Sequence, residues 1–304
     1  MTSSATSEHR VGIFNALGAY FLWGLAPIYF KLLDEIDASE IMVHRVVWST
    51  LLLLIIVVLS KKSSAALALI KQPKILLKLT VSASFLAVNW FMFIWAVNND
   101  HLLDASLGYY INPLFSVALG VVFLGERLRK MQIIAVALAV IGVLIQLVII
   151  GSIPLISLAL AGTFGIYGLL RKKMHIDSFI GLLIESAMML PLALIYWQFF
   201  VASSTSNMFY NSLSLNTTLM LAGIVTTAPL LCFTAAAKRL TLSALGFFQY
   251  IGPSMMFLLA IFHYNEPLHM AKLLTFAFIW VALILFSYES IKSRKEKLNT
   301  LSIS

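Results

Sequence analysis

The chain has 304 residues, of which 61% are hydrophobic and 11% charged, with 21 Lys and Arg against 13 Asp and Glu. Soluble domains carry ~25% charged residues, so this chain lacks the polar surface to cover a water-soluble globule and reads as an integral membrane protein. The +8 net charge is then a matter of topology before it is a nucleic-acid footprint, and the single cysteine, Cys232, excludes an intrachain disulfide.

Residues 1–10 are polar. The first apolar run, 11–30, is too long for a signal-peptide core and has no small-x-small cleavage site nearby, so it is expected to remain as the first helix. Further spans are expected at 40–59, 75–97, 103–124, 131–149, 153–170, 179–200, 217–237, 242–262 and 271–288. Each is close to the ~20 residues that cross a ~30 Å hydrocarbon core. The expected fold is an all-α membrane protein of ten transmembrane helices, five per half.

Charge sets the orientation. With the N-terminus in the cytoplasm, 18 of the 21 basic residues fall on inner segments, Lys31 and Lys272 on outer ones, and Arg45 inside a helix. Such a bias follows the positive-inside rule and puts both termini in the cytoplasm.

The fourth and ninth expected helices resemble one another. Leu107-Gly108-Tyr109-Tyr110 matches Leu245-Gly246-Phe247-Phe248, Pro113 matches Pro253, and Glu126 matches Glu266 (266 − 126 = 140). Asp37 and Asp177, ahead of the second and seventh helices, keep the same offset. Five helices per repeat is an odd number, so the halves cross the membrane in opposite senses. The expected organisation is a first repeat over 9–149, a second over 150–290 and a cytoplasmic tail over 291–304. Inverted repeats are a common transporter build, with the substrate site between the halves near midplane.

Several residues stand out against this background. Arg45 lies about six residues into the second helix, where an arginine costs up to ~3 kcal/mol. Its repeat mate, Glu185, is the only acidic residue well inside an expected helix. Two readings stay open for the pair: a structural salt bridge or separate snorkelling side chains, against a charged substrate site or proton relay. Asn112-Pro113 and Gly252-Pro253 are matched helix breaks. Proline cannot donate to the carbonyl four residues back, which frees the carbonyls of Tyr109 and Gln249 to face protein or a water-filled cavity. Tyr109, Tyr110, Asn112, Gln249 and Tyr250 surround the breaks, with Asn89 and Trp90 in the third helix, Tyr20 and Trp23 in the first, and Thr226 and Thr227 in the eighth. Together they form a candidate lining for an organic solute; taken singly, each also serves as packing or an interfacial anchor. There is no phosphate-binding loop, HExxH, CxxC or G-x-S-x-G, and the six histidines lack metal-ligand spacing. No cofactor is expected.

The paired five-helix halves, each with a Glu-containing turn after its fourth helix, resemble the EamA repeats of the drug/metabolite transporter superfamily over about residues 9–290. More narrowly, AYFLWGLAPIYFKLL (19–33), EIMVHRVVWS (40–49), NWFMFIWAVNN (89–99), ASLGYYINPL (105–114), FLGERLRKMQ (123–132), GIVTTAPLLCFTAAAKRL (223–240), LGFFQYIGPS (245–254) and TFAFIWVAL (275–283) are similar to RarD-type permeases. Asn265-Glu266 departs from the Gly125-Glu126 pattern of the first half. The resemblance implies a multi-pass permease of the bacterial inner membrane that moves a small organic metabolite or drug, commonly outward. Its partners are then the solute, membrane lipid, protons as a candidate coupling ion and a second copy of the chain as a candidate homodimer, with no nucleic acid. A passive channel, a polytopic membrane enzyme and a non-transporting membrane partner are the alternatives. An enzyme would show catalytic polar residues clustered near one interface, whereas the polar helix residues here are dispersed.

Overall fold

The computed structural model describes residues 2–98, 102–150, 155–201, 203, 205, 207–263 and 270–303. They form twelve helices: α1 (Thr2–Lys31), α2 (Ala38–Leu59), α3 (Ser63–Ile70), α4 (Pro73–Asn98), α5 (Leu102–Leu124), α6 (Lys130–Ile150), α7 (Leu155–Lys173), α8 (Ser178–Phe200), α9 (Leu213–Arg239), α10 (Leu242–Gln249), α11 (Ile251–Phe262) and α12 (Met270–Ile303). Among the described residues, 8 helical stretches are long and apolar enough to cross a membrane, and Gly108–Leu124 and Lys130–Ile145 are shorter apolar helices. Large apolar side chains such as Phe14, Leu59, Leu192 and Phe199 face outward, as expected where lipid rather than water surrounds the helices.

Local chemistry sets the helix starts. Asp37 caps α2 by accepting from the Ser39 N–H, and Asp177 caps α8 by accepting from the Phe179 and Ile180 N–H groups. Their backbone angles are nearly equal, φ −56° and ψ 134° against φ −51° and ψ 137°. Ser212 and Thr241 cap α9 and α10 in the same manner. Each side-chain oxygen satisfies an N–H that the first turn leaves without a partner.

Four features differ from the sequence expectation. The first helix begins at Thr2 and the last runs to Ile303, because polar residues extend a helix as readily as apolar ones and hydropathy marks only the part in lipid. A short helix, α3, fills the connection after α2. The stretch 242–262 is divided at Tyr250 into α10 and α11. Pro253 therefore sits in the first turn of α11, where its missing N–H is not needed. Pro113, by contrast, lies inside α5, which runs through it unbroken. Glu266, the expected mate of Glu126, lies outside the described residues.

Consecutive long helices run up and down. At the end where α1 starts, Arg239 of α9 pairs with Glu8 at 2.7 Å, Lys62 with Asp177 at 2.6 Å, and Arg129 with Glu296 and Glu289 at 2.8 and 3.4 Å. Lys172 Nζ donates to the Ala237 and Leu240 carbonyls at the same end. At the opposite end, the Tyr29 hydroxyl donates to the Thr218 carbonyl at 2.9 Å. There the Ser203 and Thr205 hydroxyls donate to Glu40.

The turn after α5 crosses to α10. Gly125 has φ 64°, a conformation that glycine adopts without steric cost. That conformation folds the turn back so that the Glu126 N–H donates to the Gly120 carbonyl at 3.1 Å. The Glu126 carboxylate then accepts from Leu242 N, Ser243 N and Ser243 Oγ at 2.6, 2.9 and 2.7 Å. A carboxylate on free N–H groups at a helix start is favoured by both hydrogen bonding and the helix dipole.

Candidate functional site

The residues singled out in the sequence separate into four places. Arg45, Trp90 and Tyr109 come together. Arg45 leaves α2 about two turns from its start and reaches between α4 and α9. Its Nε donates to Thr226 Oγ1 at 2.9 Å. Its guanidinium lies 4.8 Å from the Trp90 ring centre and 5.8 Å from that of Phe30, within range of cation–π attraction. Tyr29 of α1 and Tyr109 of α5 lie nearby. Phe93 extends the wall, 6.2 Å from the Tyr109 ring. Tyr109 remains 42% exposed, so this group is not sealed within the core.

Glu185 is elsewhere. It lies about two turns into α8 at the α1-start end and does not meet Arg45, which is an equal distance from the opposite end. Its carboxylate faces Arg171 at 3.4 Å, with the two side chains 0% and 1% exposed. The Tyr167 hydroxyl donates to its other oxygen at 3.4 Å. The buried Ser82 hydroxyl faces the same carboxylate from outside hydrogen-bonding geometry. A Cβ at Gly181 would collide with the Arg171 guanidinium, so that glycine makes its room.

Tyr20, Trp23 and Gln249 form a third group in mid-bundle. Tyr20 and Trp23 pack around Phe233 with ring centres 6.4 and 5.9 Å away, and Phe164 and Tyr167 complete the aromatic cluster. The Tyr20 hydroxyl lies near the Gln249 side chain, and both that hydroxyl and Gln249 Oε1 are buried without a partner. The fourth group is Tyr110 and Tyr250 beside Phe276. The Tyr250 hydroxyl donates to the Tyr110 carbonyl at 3.2 Å, next to the carbonyl that Pro113 was expected to free. Asn112 Oδ1 is buried without a partner. Asn89 turns away from Arg45, and its Nδ2 donates to the Leu160 carbonyl and Thr163 Oγ1 at 2.8 and 2.9 Å, tying α4 to α7.

Sequence reasoning passed over two polar clusters. Arg171 is one of the 18 basic residues counted on inner segments and explained by topology, although Tyr167 and Arg171, four residues apart, share a helix face. Glu40 and His44 are the other pair. Both are buried, and His44 Nδ1 accepts from Trp48 Nε1 at 3.1 Å. That leaves Nε2 4.0 Å from Glu40 Oε1, with neither atom otherwise partnered. The i, i+4 spacing was the available signal. No group of three or more His, Cys, Asp or Glu that could hold a metal occurs among the described residues. A surface depression on α8 beside Leu194, Trp197 and Phe199 lies among outward-facing apolar side chains and involves none of these groups.

Comparison with known proteins gives these clusters a class. Residues 10–148 match the EamA-like transporter family, so the bundle is that of a multi-pass membrane transporter. A solved crystal structure superposes with TM-score 0.72 over 93% of this chain and 98% of its own, at 18% identity, and thereby shares the fold. An uncharacterized transporter of Vibrio cholerae is 54% identical over 286 residues, covering 94% of this chain and 95% of the relative. Protein RarD of Escherichia coli is 52% identical over 288 residues, with 95% and 97% coverage. The chloramphenicol-sensitive protein RarD of Pseudomonas aeruginosa is 31% identical over 285 residues, with 92% and 94% coverage. The chain belongs to the RarD-type permeases of the EamA-like transporter family.

Proposed function

We propose that the chain is a secondary transporter that moves a small organic solute outward across the bacterial inner membrane. Two inverted repeats, 9–149 and 150–290, would alternate access to a site between them. The tail from 291 continues α12 into the cytoplasm, and ten helices cross the bilayer.

The observation that carries this reading is the contact between Tyr250 and Tyr110. Each stands three positions before the matched proline of its own half, Pro113 or Pro253. An in-plane two-fold axis brings mates into contact where it passes through the molecule. The same relation holds between α2 and α8, between α6 and α12, and between α5 and α10, each a pair of counterparts packed together. The matching caps at Asp37 and Asp177 point the same way. Exchanging the conformations of the halves about this axis would exchange access from one side to the other.

Arg45 and Glu185 take different parts in this scheme. Arg45 faces solute, with Trp90 and Tyr109 beside it. The dispersed Tyr20, Trp23, Tyr110, Asn112, Gln249 and Tyr250 line the route toward the other side. Glu185 and Arg171 lock the end where α1 begins. A proton taken up by Glu185 would remove the charge that holds Arg171, which is how a proton gradient would be read.

The test is export from proteoliposomes loaded with the dialysable metabolites of a bacterial extract, followed by mass spectrometry. Specific solutes should leave faster than from protein-free liposomes, and external solute should accelerate their exit. Exit without that acceleration identifies a channel, and no protein-dependent loss refutes the transport reading.

A further inference from the structure

Arg45 differs from the paired arginines in the chain. Arg129, Arg171 and Arg239 each face a carboxylate. Arg45 faces none among the described residues. Its protein contacts are a neutral hydroxyl and two aromatic faces. Glu40, on the same helix, is engaged instead by Ser203 and Thr205 and lies beside His44. An arginine at this depth is costly when nothing compensates it.

The open positions on Arg45 have a definite shape. Nε is taken by Thr226. The two Nη groups have no acceptor among the described residues, yet neither is a sealed, unpartnered atom of the kind found at Arg171 Nε and Nη2. They therefore present their N–H donors to accessible space. Thr226 and the Trp90 face hold the guanidinium plane. A planar, oriented fork with free Nη donors matches the two oxygens of a carboxylate. Only one cation is present in the group, which suits a single negative charge. Tyr109, Phe93 and Phe30 supply apolar faces for whatever the carboxylate is attached to.

We propose that Arg45, held in place by Thr226 and Trp90, binds the carboxylate of an organic monoanion whose apolar body lies against Tyr109 and Phe30. This rests on the reading of the Arg45 group as the solute site, and it names the class of solute.

The test compares charge at constant shape. The thermal unfolding midpoint of the purified protein in phosphatidylcholine nanodiscs is measured with benzoate, phenylacetate and indole-3-acetate, and with the amide of each. At least one carboxylate should raise the midpoint saturably, because a ligand that binds only the folded state stabilises it, and its amide should not. The effect should vanish in Arg45→Gln, weaken at least tenfold in apparent affinity in Arg45→Lys, and survive in Arg239→Gln, a charge control at the other end of the bundle. The comparison of acid with amide uses wild-type protein, so a misfolded variant leaves it intact. If no carboxylate outperforms its amide, or if Arg45→Gln binds as well as wild type, the proposal is overturned. If phosphatidylglycerol in the nanodisc raises the midpoint through Arg45 while no carboxylate does, the ligand is a lipid phosphate and the solute assignment fails. Carboxylate-specific binding without protein-dependent export would keep the site and remove the transport reading. Export of neutral solutes indifferent to Arg45→Gln would do the reverse.

Discussion

The buried pair of Arg171 and Glu185 makes a quantitative prediction. Neither side chain is reached by water, and their closest approach is 3.4 Å. Arg171 Nε and Nη2 have no partner, so the pair is incompletely satisfied from the start. Removing one partner leaves the other as an uncompensated buried charge, which costs about 3–5 kcal/mol. Arg171→Met and Glu185→Leu should each destabilise by about that amount. Replacing both removes the stranded charge and refills the volume with apolar atoms, so the double variant should fall within about 2 kcal/mol of wild type. The expected coupling is therefore several kcal/mol, well above the few tenths seen for independent sites. Equilibrium unfolding in mixed detergent micelles, with all four proteins in one series, measures it. If the double variant loses the sum of the two single losses, the residues do not act as a pair and the proposed lock at this end is wrong.

Three further outcomes follow. Burial alone would raise the Asp177 carboxyl, but Lys62 and the N–H groups of Ile180 and Phe179 hold it below its ordinary value. Its contribution is therefore complete above the unfolded value of ~3.9 and is lost as pH falls through the lower folded value. Asp177→Asn, which keeps a capping oxygen, should melt below wild type near neutral pH, and the gap should close toward about pH 3; an undiminished gap there would assign the effect to something other than this charge. A Cβ at Gly223 would lie 2.7 Å from the Trp48 carbonyl carbon, whereas at Gly162 the nearest atom is Phe115 Cζ at 3.6 Å. Gly223→Ala should lower thermal stability by about 1–3 kcal/mol and Gly162→Ala by much less, and equal losses would count against close packing of α2 on α9. In a Cys232→Ser background, a cysteine at Asn207 should react with an impermeant thiol reagent in intact cells and one at Gln72 should not; the opposite pattern would invert the orientation.

What could be read from the sequence depended on whether a residue's meaning lay within its own helix. Hydropathy located the apolar helices because lipid imposes the same requirement on each. Arg45 stood out because a charge there is costly whatever surrounds it. Arg171 did not, because it opens a run of three basic residues that topology alone explains. Only its helical phase, facing Gly181 and Glu185, shows that it turns inward while Lys172 reaches the end of α9. The two prolines illustrate the same limit. Pro113 and Pro253 occupy matched positions, yet α5 passes through one and the chain divides ahead of the other. Which of the two happens depends on neighbours: Gly246 of α10 lets the Pro113 carbonyl approach, a Cβ there falling 2.7 Å from it.

The bond between Glu126 and the start of α10 also bears on how the protein is made. The carboxylate is synthesised 116 residues before the first N–H group it will hold. Throughout the insertion of α6, α7, α8 and α9 it must stay hydrated at the membrane surface, where a carboxylate is inexpensive. The α5 turn can be fastened only when Leu242 and Ser243 have left the ribosome. The turn after α5 thus closes late, and a chain stopped after α9 lacks the N–H groups that hold Glu126.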